Sequence, residues 1–312
     1  MMRISSNFDS GNIEVVCIKE NGQIDLNIRK DTKSDFLQWF HFRLTGARDV
    51  KCNISILNAG VSSYPDGWNN YNICASYDRE EWFRIPTTYK DGILSVDYQP
   101  SYNSIYFAYF APYSYERHQD LIHESQLENN CELQVIGESV EGRSMDMLVI
   151  GEPSPDKKKV WVIARQHPGE SMAEWFIEGM LERIFDDSDP VSKSILAKAT
   201  VYVIPNMNPD GSIAGNLRSN TEGANLNREW ETPRLNESPE VYYAVKKMDE
   251  IGVDMLLDVH GDEAIPYNFV AGAGGIPNYT DRIKGLEDSF KSHWIEICPD
   301  FQDEHNLSLI HI

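Results

Sequence analysis

The sequence predicts an α/β protein in which a mixed, largely parallel sheet flanked by helices follows a small antiparallel β-sandwich domain. Two observations predict this class. The first part of the chain has short segments of alternating apolar and polar residues separated by turn residues, which is typical of a sandwich. The later part has apolar runs typical of strands covered on both faces, and these runs alternate with helical patterns. The 312 residues are therefore expected to form two domains.

The predicted β-sandwich domain comprises residues 1–115. Ile24, Leu26 and Ile28 alternate with polar residues, which is the period of a strand with one buried face. Turn clusters such as Asn21-Gly22 separate such segments. The other strands predicted in this domain are 40–44, 54–56, 71–77, 93–98 and 105–110.

The predicted second domain comprises residues 116–306 and contains the strands expected to carry the functional site. Apolar runs at 160–164, 201–204 and 255–259 predict strands of a largely parallel sheet, because such strands are buried on both faces. The further elements expected in this domain are a hairpin at 132–135 and 145–150 and a helix at about 279–290.

Two further helices have recognisable start signals. Ser171 and Glu174 match a capping box, in which the Ser171 side chain accepts from a first-turn N–H and Glu174 reaches back to the Ser171 N–H. A helix is therefore expected to begin at Ser171. Ser238 is predicted to cap another helix, with Pro239 at its first position. Residues 206–211, between these helices, form a dense turn signal.

His167 and Glu170 lie on the short connection between the strand at 160–164 and the next helix. In open α/β sheets such positions converge on the ligand crevice, so an imidazole and a carboxylate there can reach one cation. His260 follows the strand at 255–259 and supplies a third candidate, as an open catalytic zinc site requires. The alternative is that the histidines are core residues and that Glu170 only favours a helix N-terminus electrostatically.

A long polar loop is expected at residues 215–230. It contains Arg218 and the Asn227-Arg228 pair, and it has the period of neither a helix nor a strand. Long loops beside a ligand crevice are more often functional than not. The alternative is that both arginines are solvated or form surface ion pairs.

Four segments in this order resemble the zinc carboxypeptidases, and most closely their cytosolic carboxypeptidase branch. Several independent motifs in register are more specific than any one of them, and here they span roughly residues 131–276. The resemblance implies a zinc carboxypeptidase-like fold for the second domain, preceded by a small β domain. The segments are His167-Pro168-Gly169-Glu170, Asn208-Pro209-Asp210-Gly211, Arg218 with Asn227-Arg228, and Asp258-Val259-His260-Gly261-Asp262.

The resemblance also implies the roles of the site residues. It assigns Arg218 to polarisation of the scissile carbonyl, and Asn227 and Arg228 to binding of the substrate's terminal carboxylate. These residue types suit the tasks, since a planar guanidinium binds a carboxylate in bidentate geometry and a second cation stabilises a developing oxyanion. The implied ligands of one Zn²⁺ per chain are His167, Glu170 and His260.

Two positions depart from the family pattern. Many relatives carry Asp two residues before the Asn-Arg pair, where this chain has Asn225. If Asn225 orients the His167 ring, its neutral amide makes the imidazole a less basic ligand. Either zinc is then held less tightly or another residue takes the orienting role. The family's glutamate general base has no match either, since Glu263 follows a ligand too closely.

The end of the sequence offers an explanation for the missing base. Residues 307–312 read as the translation of a transposon end used in sequencing libraries, so they are expected to be a non-native tail. The native chain is expected to diverge near Asn306 and to continue to the general base. Residues 1–306 are accordingly expected to bind zinc with little turnover.

Composition excludes several classes of protein. The formal net charge of −21 disfavours nucleic acid and anionic membranes as partners, and no apolar run approaches membrane-spanning length. The five cysteines lack metal-ligand spacing and are expected to be free thiols in a reducing compartment. A cytoplasmic location is therefore expected.

The sequence thus predicts a zinc-dependent metallocarboxypeptidase that removes the C-terminal residue of a peptide or protein tail by a zinc-activated water. Two other functions stay open at this point. One is a zinc amidohydrolase acting on small N-acyl amino acids, and the other is a catalytically silent zinc-containing binding protein. The side-chain preference, the physiological substrate and the oligomeric state are not predicted.

Overall fold

The computed structural model describes residues 1–303. The expected tail at 307–312 and the expected divergence near Asn306 lie outside the described residues. Met1–Gly261 forms one compact unit, and a second begins at Asp262. The domain bounds 1–115, 116–306 and 307–312 stay predictions.

Two five-stranded sheets occupy the N-terminal part of the chain. All neighbours in the first sheet are antiparallel, and the order in which they pair is β1-β4-β10-β6-β7, whereas the second sheet has the order β2-β3-β5-β9-β8. The strands are β1 (Arg3–Ser5), β2 (Glu14–Ile18), β3 (Gln23–Asn27), β4 (His41–Thr45), β5 (Cys52–Ile56), β6 (Asn72–Ser76), β7 (Phe83–Pro86), β8 (Thr88–Lys90), β9 (Ile93–Tyr98) and β10 (Ser104–Ala108).

The alternating residues of these strands form one shared apolar core, as a sandwich requires. Ile24 and Leu26 of β3 are buried, and the rings of Phe42 and Phe107, on neighbouring strands of the other sheet, stack with centroids 5.3 Å apart. One pair departs from the antiparallel prediction, because β3 and β5 are parallel. The chain between them passes through β4 in the other sheet, which gives the connection the length that a parallel pair needs.

A third five-stranded sheet follows, and it is mixed as predicted. β13 pairs in parallel with β14 and with β15, while β12 pairs antiparallel with β11 and β14. The order is β11-β12-β14-β13-β15, so β13 lies inside the sheet. The strands are β11 (Cys131–Glu138), β12 (Ser144–Ile150), β13 (Lys158–Ala164), β14 (Ala199–Ile204) and β15 (Met255–Val259).

Helices cover both faces of this sheet. Trp161 and Ile163 of β13 pack in one apolar cluster with Val241 of α5. Val162 packs on the opposite face in a second cluster with Ile177 of α2. The continuous apolar run of β13 therefore results from burial on both faces. The helices of this part are α1 (Tyr115–Ser125), α2 (Met172–Ile184), α3 (Pro190–Lys198), α4 (Pro209–Ala214) and α5 (Pro239–Ile251).

The predicted capping box at α2 is wrong, although the helix begins where expected. Ser171 is itself helical and makes no side-chain cap; its Oγ donates to the Ala111 carbonyl at 2.8 Å. Glu174 is fully buried and accepts instead from Arg165 Nη1 at 2.5 Å. A buried guanidinium binds this carboxylate more strongly than a helix N–H would.

The predicted turn at 206–211 is in part a short helix. Pro209 occupies the first turn of α4, and Asn208 Oδ1 accepts from Gly211 N–H at 3.1 Å as a side-chain cap. Gly215 ends the helix in the left-handed conformation, with φ of 73°. Asn208 and Gly215 are thus the two caps of one short helix.

Residues 262–303 contain a longer helix than the sequence pattern indicated. α6 (Asp281–Ile297) extends beyond the expected end near residue 290. Its N-cap is Thr280, whose side chain accepts from Ile283 N–H. Within residues 1–303, no helix has both the length and the apolar character needed to cross a membrane.

Candidate metal centre

The two parallel strands β13 and β15 bring the candidate ligands together. Ala164, the last residue of β13, is in register with Val259, the last residue of β15. His260 follows Val259 directly, and His167 lies three residues after Ala164. Because both strands end at the same edge of the sheet, the two imidazoles meet there, with ring centroids 4.7 Å apart.

Three ligand atoms converge at this edge. His167 Nδ1 lies 2.7 Å from Glu170 Oε1, and His260 Nδ1 lies 2.8 Å from Glu170 Oε2. The two Nδ1 atoms are 3.1 Å apart. His167 and Glu170 are buried, whereas His260 retains 14% of its side-chain exposure. These three residues form a group that could hold one metal ion, with all ligand atoms within 4.8 Å of one another.

Neighbouring acceptors fix which imidazole nitrogens face this point. His167 Nε2 lies 3.1 Å from Asn225 Oδ1, which also accepts from the Asn227 N–H, so we assign the His167 proton to Nε2. His260 Nε2 lies 3.0 Å from Asp258 Oδ2, so the same assignment follows. In the neutral imidazoles both Nδ1 atoms are then acceptors that face each other and a carboxylate. Such an arrangement suits a cation, and the donor set suits zinc.

Nearby carboxylates outweigh the effect of burial on the pKa of His260 but not on that of the more deeply buried His167. Burial lowers the pKa of His167, although Glu170 opposes the effect. Burial also acts to lower the pKa of His260, but the Glu170 and Asp258 carboxylates outweigh it and raise that pKa to about 10. Burial acts to raise the pKa of Glu170, but the two imidazoles hold it well below its usual range. A metal ion and the His260 proton therefore compete for one position.

Hydrogen bonds outside the three candidate ligands hold Asp258 in place. Gln166 Nε2 donates to Asp258 Oδ2 at 2.6 Å, and Gln166 Oε1 accepts from Trp230 Nε1 at 2.8 Å. Glu170 Oε2 is also held, by the Gly261 N–H at 3.0 Å. The orientation of His260 and of Glu170 is thus set by the surrounding protein.

A buried ion pair supports the loop that carries His167 and Glu170. Arg165, at the end of β13, has φ of 56° and is 1% exposed. Its Nε donates to the Pro168 carbonyl at 3.1 Å, and its Nη1 donates to Glu174 of α2. Glu174 also contacts His118 Nδ1 at 2.6 Å, and His118 is itself buried.

The structure places the predicted substrate residues at different depths. Arg218 is buried, and its Nη1 lies 3.9 Å from Glu170 Oε1, beside the metal-binding group. Asn227 and Arg228 lie on a 3₁₀ turn whose first cap is Asn225, the partner of His167. Arg228 is exposed, and its Nη1 donates to the Asn227 carbonyl at 3.0 Å.

Sequence reasoning missed the role of Asp258, although a signal was present. Asp258 and His260 are two residues apart at the end of a strand, and such residues lie on the same face. Gln166 and Trp230 had no comparable signal, because their hydrogen bond joins residues that are 64 positions apart.

Comparisons with known proteins agree with this geometry. Residues 4–110 match the model of the cytosolic carboxypeptidase N-terminal domain, and residues 119–250 match that of the zinc carboxypeptidases. An uncharacterized protein of Zymomonas mobilis is 47% identical over 301 residues, covering 96% of this chain and 78% of that protein.

Two solved structures are also similar over nearly the whole chain. The metallo-carboxypeptidase from Burkholderia cenocepacia has a TM-score of 0.97 and 46% identity, covering 99% of this chain and 83% of that one. The metallo-carboxypeptidase from Pseudomonas aeruginosa, in complex with (2-guanidinoethylmercapto)succinic acid, has a TM-score of 0.94 and 43% identity, covering 97% and 81%. These matches confirm the predicted resemblance, fold class and zinc cofactor. The chain therefore belongs to the zinc carboxypeptidase family and is a metallocarboxypeptidase.

Proposed function

We propose that this chain binds the free C-terminus of a peptide or protein tail and that His167, Glu170 and His260 hold the single zinc ion at the scissile bond. The observation that carries the proposal is the convergence of two Nδ1 atoms and one carboxylate, with Arg218 Nη1 3.9 Å from that carboxylate. Zinc bound there supplies a Lewis acid and lowers the pKa of its water to about 7.

The chain's own residues act on the substrate around that ion. Arg218 is buried beside Glu170, so its charge is in place to stabilise negative charge that develops on the scissile carbonyl oxygen. Arg228 is exposed one residue beyond Asn227 and offers a planar guanidinium to the terminal carboxylate. Asn227 contributes an amide donor at the same turn. The position of Asn225 between the His167 ring and this turn supports placing the carboxylate near the metal.

We also propose a cytoplasmic location. The five cysteines are all free, which suits a reducing compartment. The match of residues 4–110 to the N-terminal domain of cytosolic carboxypeptidases supports the same location.

The test compares binding of an N-acetyl dipeptide with a free C-terminal carboxylate and binding of its C-terminal amide. With the zinc-loaded chain in a calorimeter, we expect the acid to bind at least about 10-fold more tightly, because a guanidinium gains its full charge-assisted bonds only with a carboxylate. The succinic acid derivative bound in the Pseudomonas structure serves as a second probe. Equal affinity for acid and amide would overturn the proposal.

Variants locate the carboxylate site. Arg228→Gln should weaken binding of the acid by about 10-fold and leave binding of the amide unchanged. The matched control is Arg234→Gln, since Arg234 is a half-exposed arginine that already pairs with Glu229 and Glu237. Comparison with an N-acetyl amino acid separates the amidohydrolase alternative: tighter binding of the N-acetyl dipeptide acid supports the proposal, and tighter binding of the N-acetyl amino acid opposes it.

A further inference from the structure

The loop that carries Arg218 is held by a buried carboxylate of the N-terminal β-sheet region. Asp31, which is 5% exposed, accepts three consecutive backbone N–H groups: those of Leu217 at 2.6 Å, Arg218 at 2.8 Å and Ser219 at 3.0 Å. Its Oδ2 also accepts from Ser219 Oγ at 2.9 Å. Four charge-assisted hydrogen bonds to one carboxylate fix the backbone on both sides of Arg218.

The same loop contacts the metal-binding loop on its other side. The Leu217 carbonyl accepts from the Gly169 N–H at 2.8 Å, one residue before Glu170. A Cβ at Gly169 would lie only 3.0 Å from Leu217, so the two backbones are in close contact. The peptide of Leu217 therefore connects Asp31 to the segment that carries two zinc ligands.

Further contacts bind this loop to the β-sheet region. The Leu217 side chain is 2% exposed and belongs to the apolar core formed by the two N-terminal sheets. Asn216 Oδ1 accepts from both the N–H and the hydroxyl of Thr32, at 3.0 and 3.1 Å. Asn12 Nδ2 donates to the Gly215 carbonyl at 2.8 Å. The backbone next to Arg218 is thus fixed to the core of the N-terminal sheets.

Two aromatic rings of the same region limit the movement of the Arg218 side chain. Its Cζ lies 5.4 Å from the centroid of the Tyr64 ring and 5.9 Å from that of Phe36. Cation–π contact at such distances is attractive, and it restricts the rotamers available to the guanidinium. With the backbone held by Asp31, the guanidinium is directed toward Glu170.

We propose that Asp31 is a positioning residue for Arg218, so that the N-terminal β-sheet region forms part of the substrate-binding apparatus. The inference rests on the proposed role of Arg218. Asp31 determines where the Arg218 guanidinium lies relative to the zinc ligands, and it contacts neither the substrate nor the metal itself.

Asp31→Asn tests the proposal with little change of volume. The amide places N–H groups against backbone N–H groups, so the loop loses its fixed position. In the zinc-loaded chain we expect the N-acetyl dipeptide acid to bind at least about 10-fold more weakly, since the displaced Arg218 guanidinium no longer donates its charge-assisted hydrogen bond to the substrate carbonyl. Zinc affinity should stay within about 2-fold of wild type. This measurement separates a displaced Arg218 from an unfolded site, because an unfolded site would lose zinc as well.

Asp9→Asn is the matched control. Asp9 also lies in the N-terminal region, but its Oδ2 accepts at 3.0 Å from the N–H of Tyr115, a residue of α1 outside the loop that carries Arg218. It should leave both affinities unchanged. If Asp31→Asn does not fold, Ser219→Ala carries the test, since it removes one donor; a loss of about threefold in dipeptide affinity supports the proposal and wild-type affinity contradicts it.

A double-mutant cycle with Arg218→Ala decides whether Asp31 acts through Arg218. If it does, adding Asp31→Asn to Arg218→Ala causes no further loss of dipeptide affinity, whereas losses that add show independent effects and overturn the inference. The two proposals fail differently. A wild-type chain that binds acid and amide equally defeats the proposed function, while a wild-type chain that discriminates them and an Asp31→Asn variant with the same affinity defeat only the role of Asp31.

Discussion

Asn225 is hydrogen-bonded to His167, and we propose that this bond influences zinc affinity. Its Oδ1 accepts from His167 Nε2 and from the Asn227 N–H, and Asp at this position keeps both bonds while adding a negative charge. We predict that Asn225→Asp tightens zinc binding by about 10-fold, because a charged partner makes the imidazole a more basic ligand. Competition with a chromophoric chelator measures the change.

Asn225→Ala provides the comparison for that prediction. It removes the acceptor altogether and should weaken zinc binding. An Asn225→Asp variant that holds zinc no more tightly than wild type would show that this bond does not limit ligand basicity.

Glu240, at the start of α5, predicts a pH dependence of stability. Burial raises its pKa to about 7 despite hydrogen bonds from the Val140 N–H and Asn220. The usual pKa is 4.5, so between pH 4.5 and 7 the folded state binds the proton that the unfolded state releases. Stability contributed at low pH is therefore lost as pH rises through this window.

Denaturant unfolding at pH 5 and pH 8 checks this sign. We predict that the wild type loses more unfolding free energy over this range than Glu240→Gln does. The difference should reach up to about 3 kcal/mol, at about 1.4 kcal/mol per pH unit between the two pKa values. Identical pH profiles for the two proteins would contradict the assignment.

The residues of the site were predictable to different extents. His167, Glu170 and His260 could be predicted because each follows an apolar strand and because their motifs resemble a known family. Asp31 could not be predicted, since its partners lie 186 to 188 positions away and a lone aspartate in a turn cluster has no local signature. Contacts of that kind depend on the packing of one region against another.

At the scale of elements, Arg165 connects the end of β13 to α2. Its guanidinium and the Glu174 carboxylate are both almost fully buried. We predict that Arg165→Met lowers the unfolding free energy of the zinc-free protein by about 3 to 5 kcal/mol, because the buried Glu174 carboxylate loses its guanidinium partner and keeps only its contacts with His118 and Asn206. Urea unfolding followed by circular dichroism measures the change.

Arg183→Met is the matched control for that prediction. Arg183 pairs with Asp189, but its side chain is 67% exposed, so the change should cost no more than about 1 kcal/mol. Equal losses for the two variants would show that burial does not determine the strength of the Arg165 pair.

Elements were predictable where one physical requirement dominated. β9 and β15 have the bounds predicted from their patterns. The alternation of β9 reports burial directly, since Leu94 and Val96 are buried, whereas the apolar run of β15 does not, since its residues are half-buried or exposed. The predicted capping box was wrong because the Glu174 carboxylate accepts from Arg165 and contacts His118, and neither contact has a local sequence pattern. The short helix α4 was missed because its six residues are dominated by turn formers.

For the whole molecule, the fold class could be predicted from the change in residue pattern along the chain, but the pairing of the strands could not. The third sheet has as many antiparallel as parallel pairs, since the hairpin β11–β12 joins the parallel strands through β14. The resemblance indicated the order of the domains. It did not indicate that the N-terminal region binds the loop of Arg218 through hydrogen bonds and apolar contacts.

The ends of β13 and β15 bring His167, Glu170 and His260 together, and we propose that these residues hold one zinc ion. A crystal structure of the zinc-loaded protein, with anomalous data collected at the zinc edge, tests it most directly. We expect one strong peak bonded to Nδ1 of both histidines, with Nε2 of His167 still bonded to Asn225 and Nε2 of His260 to Asp258. A peak at other residues, or ligation through Nε2, would contradict it.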